Sequence, residues 1–395
     1  MGFTVIKWVG LFAVFAAFLH TARTQRGAQL AQSKQGKMFI LLLLLVLISW
    51  FMGGYRSFTQ PLQMFISFAV FFFVTLSMVS SVERARLVMW TVAFSMLLAS
   101  VDVITDYMWL YRVHGISARP GGLFRDPNYY ALSTIISMPI VYYLLRTTTR
   151  SFLRLGLYGI LSFYCVGLVL SLSRGAFVGL AGMILTAFIL SQRKSKAFIT
   201  IAVIIVLGLQ LAPDRLWERF SQTRVVEEET VYGTAASTTR RWHLVKAGLG
   251  MMAEHPLKGV GLGQFKAWSL FYEPALGYAG VAHNTYIEVG AELGLPALLL
   301  FLGIIWHTYR DLLRMRRKYK YERDRDLWLL FTSLTVSLTG FVIGGSFISG
   351  ENTKLFWLVV FLTIALRRCV LMENRLEVKD TKVERVSASY RKAAL

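Results

Sequence analysis

The sequence predicts an all-α polytopic membrane protein with about 11–12 transmembrane helices and one long external loop. Three observations carry that prediction. The 395 residues are 55% hydrophobic and only 16% charged, where ordinary soluble domains carry about 25% charge. The apolar residues come in long runs rather than in a helical or strand alternation, and runs of about 17–25 residues are long enough to cross a bilayer as helices. Lys and Arg gather between the runs on one side, as they do in cytoplasmic loops.

Eleven runs read as spans: 3–19, 38–53, 61–79, 87–110, 128–145, 152–172, 175–190, 197–212, 284–307, 327–347 and 353–371. With the C-terminal tail placed in the cytoplasm, loops 20–37, 80–86, 146–154, 191–196, 308–326 and the tail 367–395 hold 4, 2, 3, 3, 8 and 8 basic residues. The short loops on the other face, 54–60, 111–127, 173–174 and 348–354, hold 1, 3, 1 and 1. The net charge of +21 is therefore mostly a topology signal, with attraction to anionic headgroups, and nucleic acid is not expected as a partner. Eleven spans put the N-terminus outside. The first run lacks a clean cleavage site, so the expectation is a retained helix, or a start codon that misses one upstream helix. Cys165 and Cys369 fall in spans and offer neither a disulfide framework nor a metal spacing; the expectation is that both are buried small hydrophobes.

This divides the chain into an N-terminal transmembrane bundle of about eight helices (1–212), an external loop (213–282), about three C-terminal transmembrane helices (283–371) and a cytoplasmic tail (372–395). A loop of that length in a compact bundle usually has a function. It opens with a polar crossing through about residue 233. An amphipathic helix follows in RRWHLVKAGLGMMAEHP, with Leu244, Val245, Ala247, Leu249, Met251 and Met252 as its apolar residues, Thr238 or Thr239 as a possible cap, and Pro256 as its stop. Then come the glycine turn KGVGLGQF and the aromatic stretch FKAWSLFYEPALGY.

Gly259, Gly261 and Gly263 suggest a phosphate-binding loop, but the fingerprint of a dinucleotide site needs G-x-G-x-x-G in a βαβ unit and a P-loop needs G-K-[ST]; neither is present. What remains is a tight turn of positive φ at a helix end, or close backbone approach to a polar ligand or to the membrane helices. His283 opens a membrane helix at the external face, and Glu288 and Glu292 follow it, spaced i and i+4 on one face. Ionisable groups within a span are functional candidates by default, and a neutral histidine can serve as a general base near pH 7. Arg174 in SLSRGAF, Arg240 and Arg241 at the head of the amphipathic helix, and Arg125 in RDPNYY are external arginines. Such residues can snorkel to the interface or clamp a phosphate.

Taken together, LSRGA, RDPNYYA, ERFSQT followed by an arginine, HPLKGVGLGQF and AHNTYIEVGAELG, in this order, resemble the O-antigen ligase and O-antigen polymerase family of bacterial inner-membrane proteins. The resemblance covers roughly residues 120–365 and is most specific over 241–294. His283, with Gly294 beyond it, resembles the family's histidine–glycine motif. Arg241 falls where the family has its loop arginine, Arg240 is the alternative because Leu244 follows it at the ligases' spacing, and Arg174 resembles the arginine at the external end of a core helix. The chain departs from the family in its span count and in having Val245 where tryptophan or leucine is usual.

The resemblance implies a metal-independent glycosyltransferase with a C-type membrane fold, no cofactor, and a periplasmic active face. Its donor would be a glycan on undecaprenyl pyrophosphate, and its acceptor a glycolipid or glycan. Arginines would hold the pyrophosphate and the histidine would activate the acceptor hydroxyl, with Glu292 or Glu288 orienting the histidine or binding acceptor hydroxyls. Transfer to lipid A–core (a ligase) is slightly favoured. A polymerase joining lipid-linked repeat units is the alternative, and a protein acceptor is a third choice. A flippase or exporter is the rival of another class, for which Asp102 and Asp106 in the fourth span would be the candidates.

Overall fold

The computed structural model describes residues 12, 14–19, 21, 33–52, 59–114, 119–195 and 234–372. Among these residues the chain is helical, with no strand. The main helices are α1 (Lys34–Met52), α2 (Thr59–Met78), α3 (Val82–His114), α4 (Pro127–Thr147), α5 (Ser151–Leu170), α6 (Arg174–Leu190), α7 (Thr234–Glu254), α8 (Phe265–Tyr272), α9 (Thr285–Lys318) and α10 (Arg325–Gly344), followed by α11 (Lys354–Met372). Each expected span from 38–53 to 175–190 and from 284–307 to 353–371 coincides with one of them. Most of the span at 3–19, the whole of 197–212, the polar crossing that follows it and the tail after 372 lie outside the described residues.

Six helices, α1, α3, α5, α9, α10 and α11, are long and apolar enough to cross a membrane by length and composition, and α2 and α6 supply shorter apolar stretches. The protein is a multi-pass membrane protein. Helix α4 is not among the six although it fills the expected span at 128–145. It carries Asn128, Ser133, Thr134 and Ser137, all buried, and the Thr134 and Ser137 hydroxyls donate to the Tyr130 and Ser133 carbonyls one turn back. A helix surrounded by protein can carry such groups where one facing lipid would not.

Helix α10 packs against α4 and α6. Its approach to α6 depends on glycine: a Cβ on Gly179 would stand 3.1 Å from the Gly340 carbonyl oxygen and the Gly344 Cα, the small-residue contact by which membrane helices close on one another. Helix α9 packs on α1, and α3 on α5. Cys369 is buried as expected; Cys165, on α5, is exposed among the described residues.

Helix α7 lies on α9. Leu244, Ala247, Met251 and Met252 form a small core with Phe265, Leu276, Ala282 and Ala291, whereas Leu249 is exposed. The helix stops before Pro256 as expected but begins at Thr234, so Thr238 and Thr239 are inside it and neither is the cap.

Helix α9 is broken. Gly294 has φ 82° and ψ 172°, which separates a short first half, ending at Leu293, from the long remainder. The break would orphan the last carbonyls of the first half. The glycine turn fills that role: the Val260 N–H donates to the Ala291 carbonyl at 2.8 Å and the Gly261 N–H to the Glu292 carbonyl at 3.0 Å. Across the break the Leu295 N–H donates to the Pro256 carbonyl at 2.7 Å. Gly259 and Gly294 both have positive φ, and a Cβ on either would fall within 2.6 Å of the facing backbone. The turn is therefore a cap on a membrane helix.

Candidate functional site

A cavity of about 400 Å³ opens where α7, the start of α6 and the start of α9 converge. Arg174, Arg240, Arg241 and His283 all line it, joined by Arg119 and Lys266. The volume lies within the usual range for ligand pockets, about 300–1,000 Å³. Among the described residues no Asp or Glu lines it, and five basic side chains do.

Each side chain arrives there for a local reason. Arg174 is the first residue of α6, after a short turn in which Leu172 takes a left-handed φ of 49°. Arg119 donates from Nε to the Ser171 carbonyl at 3.0 Å and from Nη2 to Asn128 Oδ1 at 3.1 Å. The Ser173 hydroxyl donates to the same Asn128 oxygen at 2.8 Å, which ties the α5–α6 turn to the start of α4. That start is fixed by Asp126, whose carboxylate accepts from the Asn128 and Tyr129 N–H groups at 2.7 and 3.3 Å, with Pro127 at the first helical position.

Arg240 and Arg241 are adjacent on α7 and differ in setting. The Arg240 guanidinium lies 3.6 Å over the Tyr278 ring and donates through Nη2 to the Tyr278 carbonyl at 2.8 Å. Its Nε is buried without a hydrogen-bond partner among the described residues. Arg241 donates through Nη1 to the Phe347 carbonyl at 3.2 Å, linking α7 to the segment between α10 and α11.

His283 sits two residues before α9 in a left-handed conformation, φ 51°. That is uncommon for a residue with a side chain and is held by its neighbours. Asn284 caps α9, accepting from the Tyr286 and Ile287 N–H groups at 3.0 and 3.1 Å, and its own Nδ2 donates to the Ser346 carbonyl. Thr285 exchanges hydrogen bonds with Gly345, Ile348 and Gly350. Burial pushes the His283 imidazole below its ordinary value to about 4; the positive charge of Arg241 adds to this, Asp126 opposes it, and Arg240 and Arg119 add smaller amounts. The ring is neutral at pH 7, the form a proton acceptor requires.

Glu288 and Glu292 take a different position. They line a second, smaller cavity with Glu351 and are absent from the lining of the first. Glu288 accepts the Ser349 hydroxyl. Glu292 accepts the Gly263 N–H at 2.8 Å and the Phe265 N–H at 3.0 Å, so its carboxylate grips the third glycine and the first turn of α8. No hydrogen bond joins either carboxylate to His283 among the described residues. Arg125 does not line the first cavity either; it closes a 3-10 turn with φ 58°. Of the aromatic stretch, Trp268 and Tyr272 pack against the small core under α7, and Phe271 is exposed.

Arg119, Asn128 and Lys266 were not expected. The only signal for Arg119 was its place in a short external loop, where it counted toward topology. Asp102 and Asp106, the candidates of the transporter reading, are engaged with backbone: Asp106 Oδ2 accepts the Gly121 and Gly122 N–H groups at 3.1 and 3.0 Å, and Asp102 Oδ2 the Leu123 N–H at 2.7 Å. They shape the turn that carries Arg119 and Asp126. Among the described residues, no group of three His, Cys, Asp or Glu side chains is placed to hold a metal ion.

Residues 157–302 match the family described as O-antigen ligase. No curated protein matches the chain. The matched segment holds Arg174, Arg240, Arg241, Lys266 and His283 together with the glycine turn, and leaves out Arg119 and Glu351. Over this segment the chain is similar to the O-antigen ligase family, which supports the resemblance carried by its motifs.

Proposed function

We propose that the protein transfers a glycan from undecaprenyl pyrophosphate to an acceptor hydroxyl at the periplasmic face of the bacterial inner membrane. The observation that carries this reading is one cavity holding five basic side chains beside a neutral, buried histidine. Pyrophosphate is the anion such a cavity suits. It is dianionic or more at pH 7, and arginine binds its oxygens in paired hydrogen bonds.

In the reaction the acceptor oxygen attacks the anomeric carbon of the donor sugar. The bond from that carbon to the pyrophosphate oxygen breaks, and both electrons leave with the lipid pyrophosphate. The acceptor proton passes to the His283 imidazole. Charge grows on the departing pyrophosphate, so the main catalytic task is to stabilise that charge with groups already in place. Arg174 and Arg241 serve this role, Arg240 and Arg119 extend it, and Arg240 Nε is a buried donor awaiting an acceptor. A hydroxyl is a poor nucleophile, and a placed base contributes about 10²–10⁴-fold. The C-type fold and the absence of a metal or cofactor requirement belong to the same reading.

His283→Ala and Arg241→Ala are each expected to abolish transfer in purified, lipid-reconstituted protein while leaving the thermal transition in place. Full transfer by both variants would sink the mechanism. The acceptor favoured is lipid A–core, with polymerisation of lipid-linked repeats as the alternative. A deletion strain separates them: loss of all capped lipopolysaccharide with long polymer still on the lipid carrier marks a ligase, and single-repeat caps mark a polymerase.

A further inference from the structure

The second cavity, about 120 Å³, is lined by Glu288, Glu292, Glu351 and Asn352, with Met64 and Phe65 as an apolar wall. It shares Lys266 and Val281 with the arginine cavity, so one side of that wall is basic and the other acidic. Val281 is two residues from His283.

Most carboxylate oxygens here are occupied. Glu288 holds the Ser349 hydroxyl, Glu292 holds the Gly263 and Phe265 N–H groups, and Glu351 Oε1 accepts from Asn352 Nδ2 at 2.7 Å. Glu351 Oε2 is the exception. The residue is 7% exposed, and this oxygen is buried without a hydrogen-bond partner among the described residues. The Glu351 backbone is held by Trp357, whose indole N–H donates to its carbonyl at 2.8 Å, and the residue lines the cavity. A buried polar atom left unsatisfied is costly, and a bound group would relieve that cost.

Two classes of ligand could do so. A divalent cation needs about six oxygens, and this cavity has too few left unspent. Burial, with Glu288 and Glu292 nearby, also pushes the Glu351 carboxyl well above the usual carboxylate range, which weakens its hold on a cation. A sugar fits better. Its hydroxyls both donate and accept, matching a carboxyl on one side and the Lys266 ammonium on the other, and its C–H face matches Phe65. Pockets with an apolar wall and a few placed polar groups are the usual form of such sites.

We propose that this second cavity is the acceptor-sugar subsite, with Glu351 as the side chain that binds and positions the acceptor ring so that its reacting hydroxyl is directed past Val281 to His283. The proposal rests on the glycan-transfer reading and names where its acceptor binds. The donor pyrophosphate and the acceptor sugar thus occupy opposite sides of the Lys266–Val281 wall.

The test is steady-state transfer in lipid-reconstituted protein, with lipid A–core and a lipid-linked repeat unit each titrated as acceptor, and donor titrated separately. Glu351→Ala is expected to raise the acceptor KM by about 10-fold or more, the loss expected for a buried hydrogen bond, with the donor KM unchanged. Glu351→Gln keeps a donor and an acceptor in place and should stay within about threefold of wild type, on the same ground. If Glu351→Ala does not fold, Asn352→Leu, which fills the cavity edge, should raise the acceptor KM alone. An unchanged acceptor KM, or parallel rises in both KM values, overturns the subsite while leaving the transfer reading intact. Wild-type protein that transfers to neither acceptor overturns both.

Discussion

His283 is buried beside arginines, and this sets its proton affinity before any substrate arrives. Its imidazole is held at about 4 by burial and by Arg241, Arg240 and Arg119. The anion proposed for the cavity would neutralise those same arginines and so raise the basicity of the histidine when the donor is bound. The active form is the neutral one, so activity is lost as pH falls through the pKa. The acid limb of kcat/KM, which reports the free enzyme, should lie near pH 4, and the acid limb of kcat should lie at higher pH. Coincident limbs measured over pH 3.5–8 would show that the arginines and the donor do not act on this ring. The linkage to stability has the same sign. The unfolded chain takes up a proton at His283 near pH 6.5 and the folded chain only near 4, so acid between those values favours unfolding. The sequence made His283 legible because it stands where an external loop meets a span. It did not reveal the left-handed backbone that turns the ring inward, because that conformation is imposed by Asn284 and Thr285 bonding to the 345–350 segment, more than sixty residues later in the chain.

Among the elements, the broken α9 carries most of the consequence. Its first half projects His283 toward the arginines from its N-terminal end, and its C-terminal end is capped by the glycine turn. Glu292 then crosses back to hold α8. The spacing of Glu288 and Glu292 on one face was readable, and so was the need for glycine. The partner was not, because the turn caps a helix thirty residues downstream, whereas sequence rules for caps describe a helix's own ends. Gly259→Ala should therefore act on the membrane helix as well as the turn. A Cβ there would lie 2.3 Å from the Glu292 carbonyl carbon, with φ at 65°, and neither conflict can be relieved by rotating a side chain. The expected outcome is a lower unfolding temperature in detergent together with loss of transfer, read by a thermal-shift assay and by product formation. Gly277→Ala is the control. It also has positive φ, 70°, but stands in open space, so it carries the backbone strain without the clash.

On the scale of the molecule, the spans, their order and the basic loops were legible because the bilayer imposes length and hydropathy on each helix separately. The cavity was legible only as a set of candidates. Arg174 stands at the end of one hairpin, Arg241 on the loop helix and His283 ahead of α9, and only packing brings them to one place. Arg119 and Glu351 escaped notice because each sits in a short connection whose charge reads as topology. Glu351 acquires its meaning from burial, which one sequence does not display.

The cap on α9 has a consequence for how the external segment moves. Residues 256–264 would be expected to exchange their amide hydrogens freely, as surface turns do. Yet the N–H groups of Val260 and Gly261 are bonded to the carbonyls of Ala291 and Glu292, and that of Gly263 to the Glu292 carboxylate. These amides can open only when the first half of α9 opens. In deuterium labelling of the lipid-reconstituted protein, they should exchange as slowly as the amides of Gly290–Leu293 and much more slowly than the exposed Gly277. The turn would then mark time with the membrane, and the histidine at the other end of the same half-helix would be as still as the bundle that holds it.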